Sequence, residues 1–162
     1  MRVSAAELRA AMPLLASNEG VWEGFYRYYD AEGRKIDEHR SRLICRIPAE
    51  GPYPYHQTNH YTWADGREDV RDFPATFEHG RLVFDNELIT GWAAEVALDD
   101  YRRTMMLNWV RKGQPDVYLY EMIQSSDDRQ SRARVWQWLR AGKTEMRTLI
   151  DEHRVSDSWA GY

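Results

Sequence analysis

The spacing of apolar residues changes period once along the chain. Leu8, Met12 and Leu15 recur at helical spacing, which predicts one helix within residues 4–17. Ser4 is its expected N-cap, and Glu7, three residues on, completes a capping box. Pro13 falls inside that pattern and is expected to shorten or kink the helix, because proline removes a backbone donor. From Val21 onward the period becomes two. Strands are expected near 21–29, 36–47, 54–63, 68–77, 81–97, 103–111, 116–124, 132–140 and 145–155. The segments between them are short and rich in Gly, Asp or Pro, as hairpin turns require. The 81–97 segment is too long for one straight strand, so a bend or break is expected near Gly91.

Nine or ten strands in sequence-neighbour order make an antiparallel meander. An open meander has two unpaired edges, and closure into an up-and-down barrel removes both. The expected fold is therefore all-β, a closed barrel over 21–155 with a short N-terminal helix and a tail at 156–162, all in one domain.

Alternation then assigns faces. Ser41, Leu43, Cys45 and Ile47 oppose Arg40, Arg42 and Arg46, so the first row is expected to face inward. Strand 55–63 offers Tyr55, Gln57, Asn59, Tyr61 and Trp63 on one face. Its other face carries His56, Thr58, His60 and Thr62. Either choice brings polar groups into the barrel. Buried polar groups left unpaired cost about 1–3 kcal/mol each. A barrel built only for stability would use Leu, Ile and Val there.

Composition sharpens that picture. The chain carries Trp 7 and Tyr 10 against Phe 4, so its apolar surface is mostly aromatic with polar tips. No apolar run approaches the ~18 residues of a membrane helix. So many aromatics argue against a disordered chain. A formal net charge of −4 argues against nucleic acid as a partner. Nearly all cations are Arg, the residue that stacks on rings and forks onto carboxylates; only Lys35, Lys112 and Lys143 are Lys. The single cysteine, Cys45, excludes a disulfide frame or thiolate metal site. No basic start followed by an apolar block opens the chain, so a signal peptide is not expected, and a cytoplasmic location is.

Gly20-Val21-Trp22 follows the helix and opens the first strand. In this position the chain resembles the calycins, the superfamily of lipocalins, fatty-acid-binding proteins and related bacterial barrels. Their shared mark is Gly-x-Trp on the first strand with an Arg near the end of the last strand packing over the Trp. The resemblance covers about 21–155 and is greatest to small bacterial calycin-type domains without assigned function. It implies that Arg154, with Arg147 as second choice, packs on Trp22 as a structural pair. It also implies a small hydrophobic or aromatic molecule inside the barrel. The disulfide common in secreted lipocalins cannot form here, which argues against an extracellular transport role.

Three functional readings follow. In the first, Tyr26, Tyr28, Tyr61, Trp63, Trp109, Tyr118, Tyr120 and Trp136 line a cavity for an aromatic or amphipathic molecule. Gln57, Asn59 and Asn108 would orient its polar groups. In the second, the barrel is a cofactor-free lyase, isomerase or cyclase acting on an aromatic compound. His56 or His60 would be the base, with Tyr61, Tyr120 or Glu121 as acid or anion partner. In the third, His153 on the last strand holds a haem. The competing explanation for all these aromatics is structural, as cross-strand pairs and Arg-stacked rings. No phosphate loop, nucleophile elbow or zinc motif is present. His56 and His60 stand roughly 13 Å apart on a strand, at ~3.3 Å per residue, so no metal site and no cofactor are expected. Outward Phe25, Tyr29 and Trp159 leave a homodimer open; a membrane partner is not expected.

Overall fold

The Ser4 hydroxyl accepts the Glu7 backbone N–H at 3.2 Å, and the Glu7 carboxylate accepts the Ser4 N–H at 2.8 Å. This reciprocal cap opens α1 (Ala5–Ala11) in a computed structural model that describes residues 3–162. The expected single helix is two. Met12 breaks the helical backbone at φ −131°, and Pro13 then takes the first position of α2 (Pro13–Ser17), where its missing N–H costs nothing. No side chain at Met12 caps α2. Glu95, from the far side of the barrel, does so instead, accepting the Leu15 N–H at 2.9 Å.

Ten strands follow. They are β1 (Gly20–Asp30), β2 (Lys35–Arg46), β3 (Tyr55–Thr62), β4 (Glu68–Glu78), β5 (Arg81–Asp85), β6 (Ile89–Val96), β7 (Thr104–Arg111), β8 (Val117–Ser125), β9 (Ser131–Arg140) and β10 (Lys143–Ser156). Each pairs antiparallel with its sequence neighbours, and β1 pairs with β10 to close the barrel. The fold class is that expected from the sequence. The break in the long 81–97 segment lies at 86–88 rather than at Gly91. There the Asn86 side-chain oxygen accepts the N–H groups of Leu88 and Ile89 at 2.9 and 3.0 Å, turning the chain in the way Asx residues do. Gly91 lies inside β6, opposite Trp109.

The two ends of the barrel differ. At one end α1 and α2 bring Leu8, Met12, Leu14 and Leu15 against Ile47, Tyr55, Leu82, Met105 and Ile123, which forms a plug. Gly20 enters β1 at this end with φ +118°, and a Cβ there would lie 2.2 Å from the Ser156 carbonyl oxygen. Only glycine fits. Trp22, directly behind it, is fully buried and donates its indole N–H to the Asn18 carbonyl at 3.0 Å. Arg154 sits 4.4 Å from the centre of the Trp22 ring, where the resemblance placed it, and donates to the Glu19 carbonyl at 2.7 Å and to the Ser17 carbonyl. Arg147 points away, on the outer face. The other end of the barrel carries no helix among the described residues. Among the described residues, no helix is long and apolar enough to cross a membrane.

Candidate binding site

Inward rows of the strands meet behind the plug. β1 supplies Trp22, Tyr26 and Tyr28; β2 supplies His39, Ser41, Leu43 and Cys45; β9 supplies Arg132, Arg134, Trp136 and Trp138. On β3 the buried face is Tyr55, Asn59 and Tyr61, with Gln57 and Trp63 half-buried beside them. These side chains satisfy one another in a ladder. Tyr55 OH donates to Gln57 Oε1 at 2.9 Å, Gln57 Nε2 to Asn59 Oδ1 at 2.7 Å, and Asn59 Nδ2 to Tyr61 OH at 2.7 Å. Neighbours on one face of a strand stand roughly 6.6 Å apart, twice the ~3.3 Å rise per residue. Only long polar side chains close that gap, which explains why Tyr, Gln and Asn occupy these places.

Deeper in lies a buried set of charges. Arg134 Nε donates to Glu121 Oε1 at 2.6 Å, and its Nη1 to Tyr26 OH at 3.0 Å and Glu152 Oε1 at 3.1 Å. Arg132 donates to the other Glu152 oxygen and also lies 4.3 Å from the centre of the Trp22 ring. Two arginines thus face two glutamates. Burial pushes the Glu152 carboxyl up, but the guanidiniums of Arg132 and Arg134 outweigh it and hold the group below the usual carboxylate range. Burial raises the Tyr26 and Tyr61 hydroxyls, which stay protonated. A small cavity of about 70 Å³ remains beside this set, bordered by Gln57, Asn59, Glu121, Arg132, Arg134 and Trp136.

The helix-free end opens into a larger cavity of about 330 Å³. Its walls are mostly rings: Tyr28, Tyr61, Trp63, Trp109, Trp136 and Trp138. Trp109 meets Trp136 and Trp138 edge to face at 6.1 and 5.4 Å between centroids, and Trp136 meets Trp138 at 5.8 Å. His39 stands at the centre of the opposite wall. It stacks on Tyr26 at 4.9 Å and approaches Tyr61 and Trp63 at 4.6 Å each. Burial lowers its pKa, so the ring is neutral near pH 7. Asp37 accepts the Trp63 indole N–H at 3.1 Å, and Arg71 and Arg111 border the opening.

The structure divides the residues singled out from the sequence. Tyr26, Tyr28, Gln57, Asn59, Tyr61, Trp63, Trp109, Glu121 and Trp136 face inward and border the two cavities or the cluster between them. Asn108, Tyr118 and Tyr120 alternate with inward neighbours and lie on the outer face; Tyr120 is exposed, and Asn108 donates across the sheet to the Leu119 carbonyl at 3.1 Å. His56 and His60 are also outside, His56 against Asp72 at 3.1 Å. His153 is exposed on the outer face of β10. The acid–base set of the enzyme reading is therefore not assembled: Tyr61 and Glu121 lie inside, while both histidines and Tyr120 lie across the sheet from the cavity. A haem inside the barrel would find no ligand in His153 for the same reason.

Sequence reasoning missed His39, Arg132, Arg134 and Glu152. The signal was there as alternation. His39 extends the inward row of Ser41, and Arg132 and Arg134 share a row with Trp136 and Trp138.

No protein-family model matches the chain, and no curated protein matches its sequence. Solved structures do resemble it. A protein of unknown function from the DUF3598 family of Nostoc punctiforme superposes with a TM-score of 0.65 at 14% identity, over 87% of this chain and 49% of that one. The chain thus spans about half the length of that structure. A redesigned β-barrel has a TM-score of 0.41 at 13% identity, over 88% of this chain and 93% of that one. The structure of EF1p2_mFAP2b bound to DFHBI has a TM-score of 0.45 at 13% identity, over 91% and 98% of the two chains. At 14% identity the likeness to the Nostoc protein is one of fold alone.

Proposed function

We propose that the protein binds a small molecule with a flat apolar body in the helix-free mouth of the barrel. One observation carries this reading. The end left open by the helices holds a cavity of about 330 Å³ walled by six tyrosine and tryptophan rings. That volume lies at the lower end of the ~300–1,000 Å³ of ligand pockets, and an apolar wall with a few placed polar groups is their usual composition. The plugged end supports the same reading, because it leaves one route in. So does the resemblance to calycins through Gly20-Val21-Trp22 and the stacked Arg154, since ligands in that superfamily sit in the barrel.

Isothermal titration calorimetry against small naphthalenes, phenolics and fatty acids tests it. Binding of at least one flat aromatic class is expected, and Trp109→Ala should weaken it about tenfold, a loss of about 1.4 kcal/mol. Silence across all classes would overturn the reading.

A further inference from the structure

Two groups at the mouth lack the partners that their counterparts elsewhere have. The first is the Trp136 indole N–H. Trp22, Trp63 and Trp138 donate to the Asn18 carbonyl, the Asp37 carboxylate and the Thr148 hydroxyl. Trp136 is more than nine-tenths buried, and its Nε1 has no acceptor among the described residues. It borders both the mouth cavity and the smaller cavity behind it. A buried donor without an acceptor is uncommon in a folded protein and calls for a specific account.

The second group is Arg111. It continues the inward row of Met105, Leu107 and Trp109 and borders the mouth. The deeper inward arginines, Arg132 and Arg134, are each matched to glutamates. Arg71, also at the mouth, is paired with Asp69 at 2.8 Å. Arg111 has no ion pair among the described residues. The acid bordering the mouth, Asp37, already accepts the Trp63 indole. The opening therefore places a guanidinium without an ion pair and an unmet hydrogen-bond donor beside one ring-walled cavity, with Asp37 engaged by the Trp63 indole.

Resting on the binding function proposed above, we infer that the ligand is a flat molecule bearing an anionic oxygen group such as a carboxylate. Its ring lies among the tryptophans, an oxygen accepts from Trp136, and its charge is met by Arg111. A guanidinium that keeps a free fork at a half-buried site is suited to an oxyanion. An indole can only donate, so the atom that meets it must be an acceptor.

Three probes of one shape separate these elements: 2-naphthoate, 2-acetylnaphthalene and 2-isopropylnaphthalene. The first has charge and acceptor, the second acceptor alone, the third neither. Calorimetry on the full chain should rank them in that order, with at least tenfold between naphthoate and the ketone. Arg111→Gln should remove that tenfold and leave the ketone and hydrocarbon unchanged. Trp136→Phe should bring the ketone down to the hydrocarbon. In the unaltered protein, raising salt should weaken naphthoate and spare the ketone, which keeps the test open if a variant does not fold. Equal affinity for all three probes, or a naphthoate preference indifferent to both salt and Arg111→Gln, would overturn the anion inference while leaving the cavity occupied. Failure of all three to bind would overturn the anion inference, and the same silence from the phenolics and fatty acids would overturn the cavity reading itself.

Discussion

Arg134 and Glu152 hold full charges while almost wholly buried, and each is tolerable only because of the partners it meets. Removing ions from water costs several kcal/mol apiece, and close pairing with further hydrogen bonds offsets that cost. Glu152 is the shared member, since it meets both Arg132 and Arg134. Glu152→Gln leaves two guanidiniums short of a partner. It should destabilise the fold by about 3–5 kcal/mol in urea denaturation. Asp65→Asn, which breaks an exposed pair with Arg67, should cost no more than about 1 kcal/mol. Equal effects would show that the interior charges are solvated. The sequence did not reveal this set. Alternation puts the two arginines in the row of Trp136 and Trp138, but their partners lie 13 to 20 positions away on neighbouring strands, and no local pattern links them. Trp22 and Arg154 were legible because a known pattern links them across 132 positions that strand pairing brings face to face.

Among elements, the strands were legible to within a residue or two wherever alternation ran into a Gly- or Asp-bearing turn. The β5–β6 boundary was not, because Gly91 looked like a break and Asn86 did not. Gly91 has a different task. A Cβ there would lie 2.2 Å from the Asn108 carbonyl oxygen and 2.4 Å from Trp109 Cβ. The missing side chain lets β6 and β7 approach and sets where the Trp109 ring sits on the cavity wall. Gly91→Ala should displace β7 and cost about 1–3 kcal/mol, the usual range for overpacking. The near-UV circular dichroism of the indoles should change with it. An unaltered spectrum with unaltered stability would refute this account. For the N-terminal segment, the capping box named the start of the helix correctly. Pro13 named the interruption but not its outcome, a second helix capped from another element.

At the scale of the whole molecule, one end is plugged and the other open, and the titrating groups lie between. His39 is held neutral by burial, with its pKa below the ordinary 6.5. In the window just under that value the unfolded chain binds the proton more readily than the folded one, so stability rises with pH. The contribution is complete above about pH 6.5 and is lost as the pH falls. Glu152, held below 4.5, adds stability that is full above that value and is lost on further acidification. Urea midpoints should therefore fall between about pH 7 and pH 5, and His39→Phe should flatten that first step. A midpoint that rises on acidification would contradict the assignment. The barrel itself was legible from the sequence as a meander with edges to hide. Which end opens was not, because that depends on where two short helices fold back.

Trp109, Trp136 and Trp138 stand within 6.1 Å of one another between centroids, Trp109 nearly perpendicular to both others at 83° and Trp136 at 63° to Trp138. Indoles that close share their excited states, so the trio absorbs and rotates polarised light as one exciton-coupled chromophore. Its signal depends on the mutual angles of three transition dipoles, and a guest pressed between them would alter those angles. Occupancy of the cavity, as proposed, should then be readable from the near-UV signal of these indoles without a label.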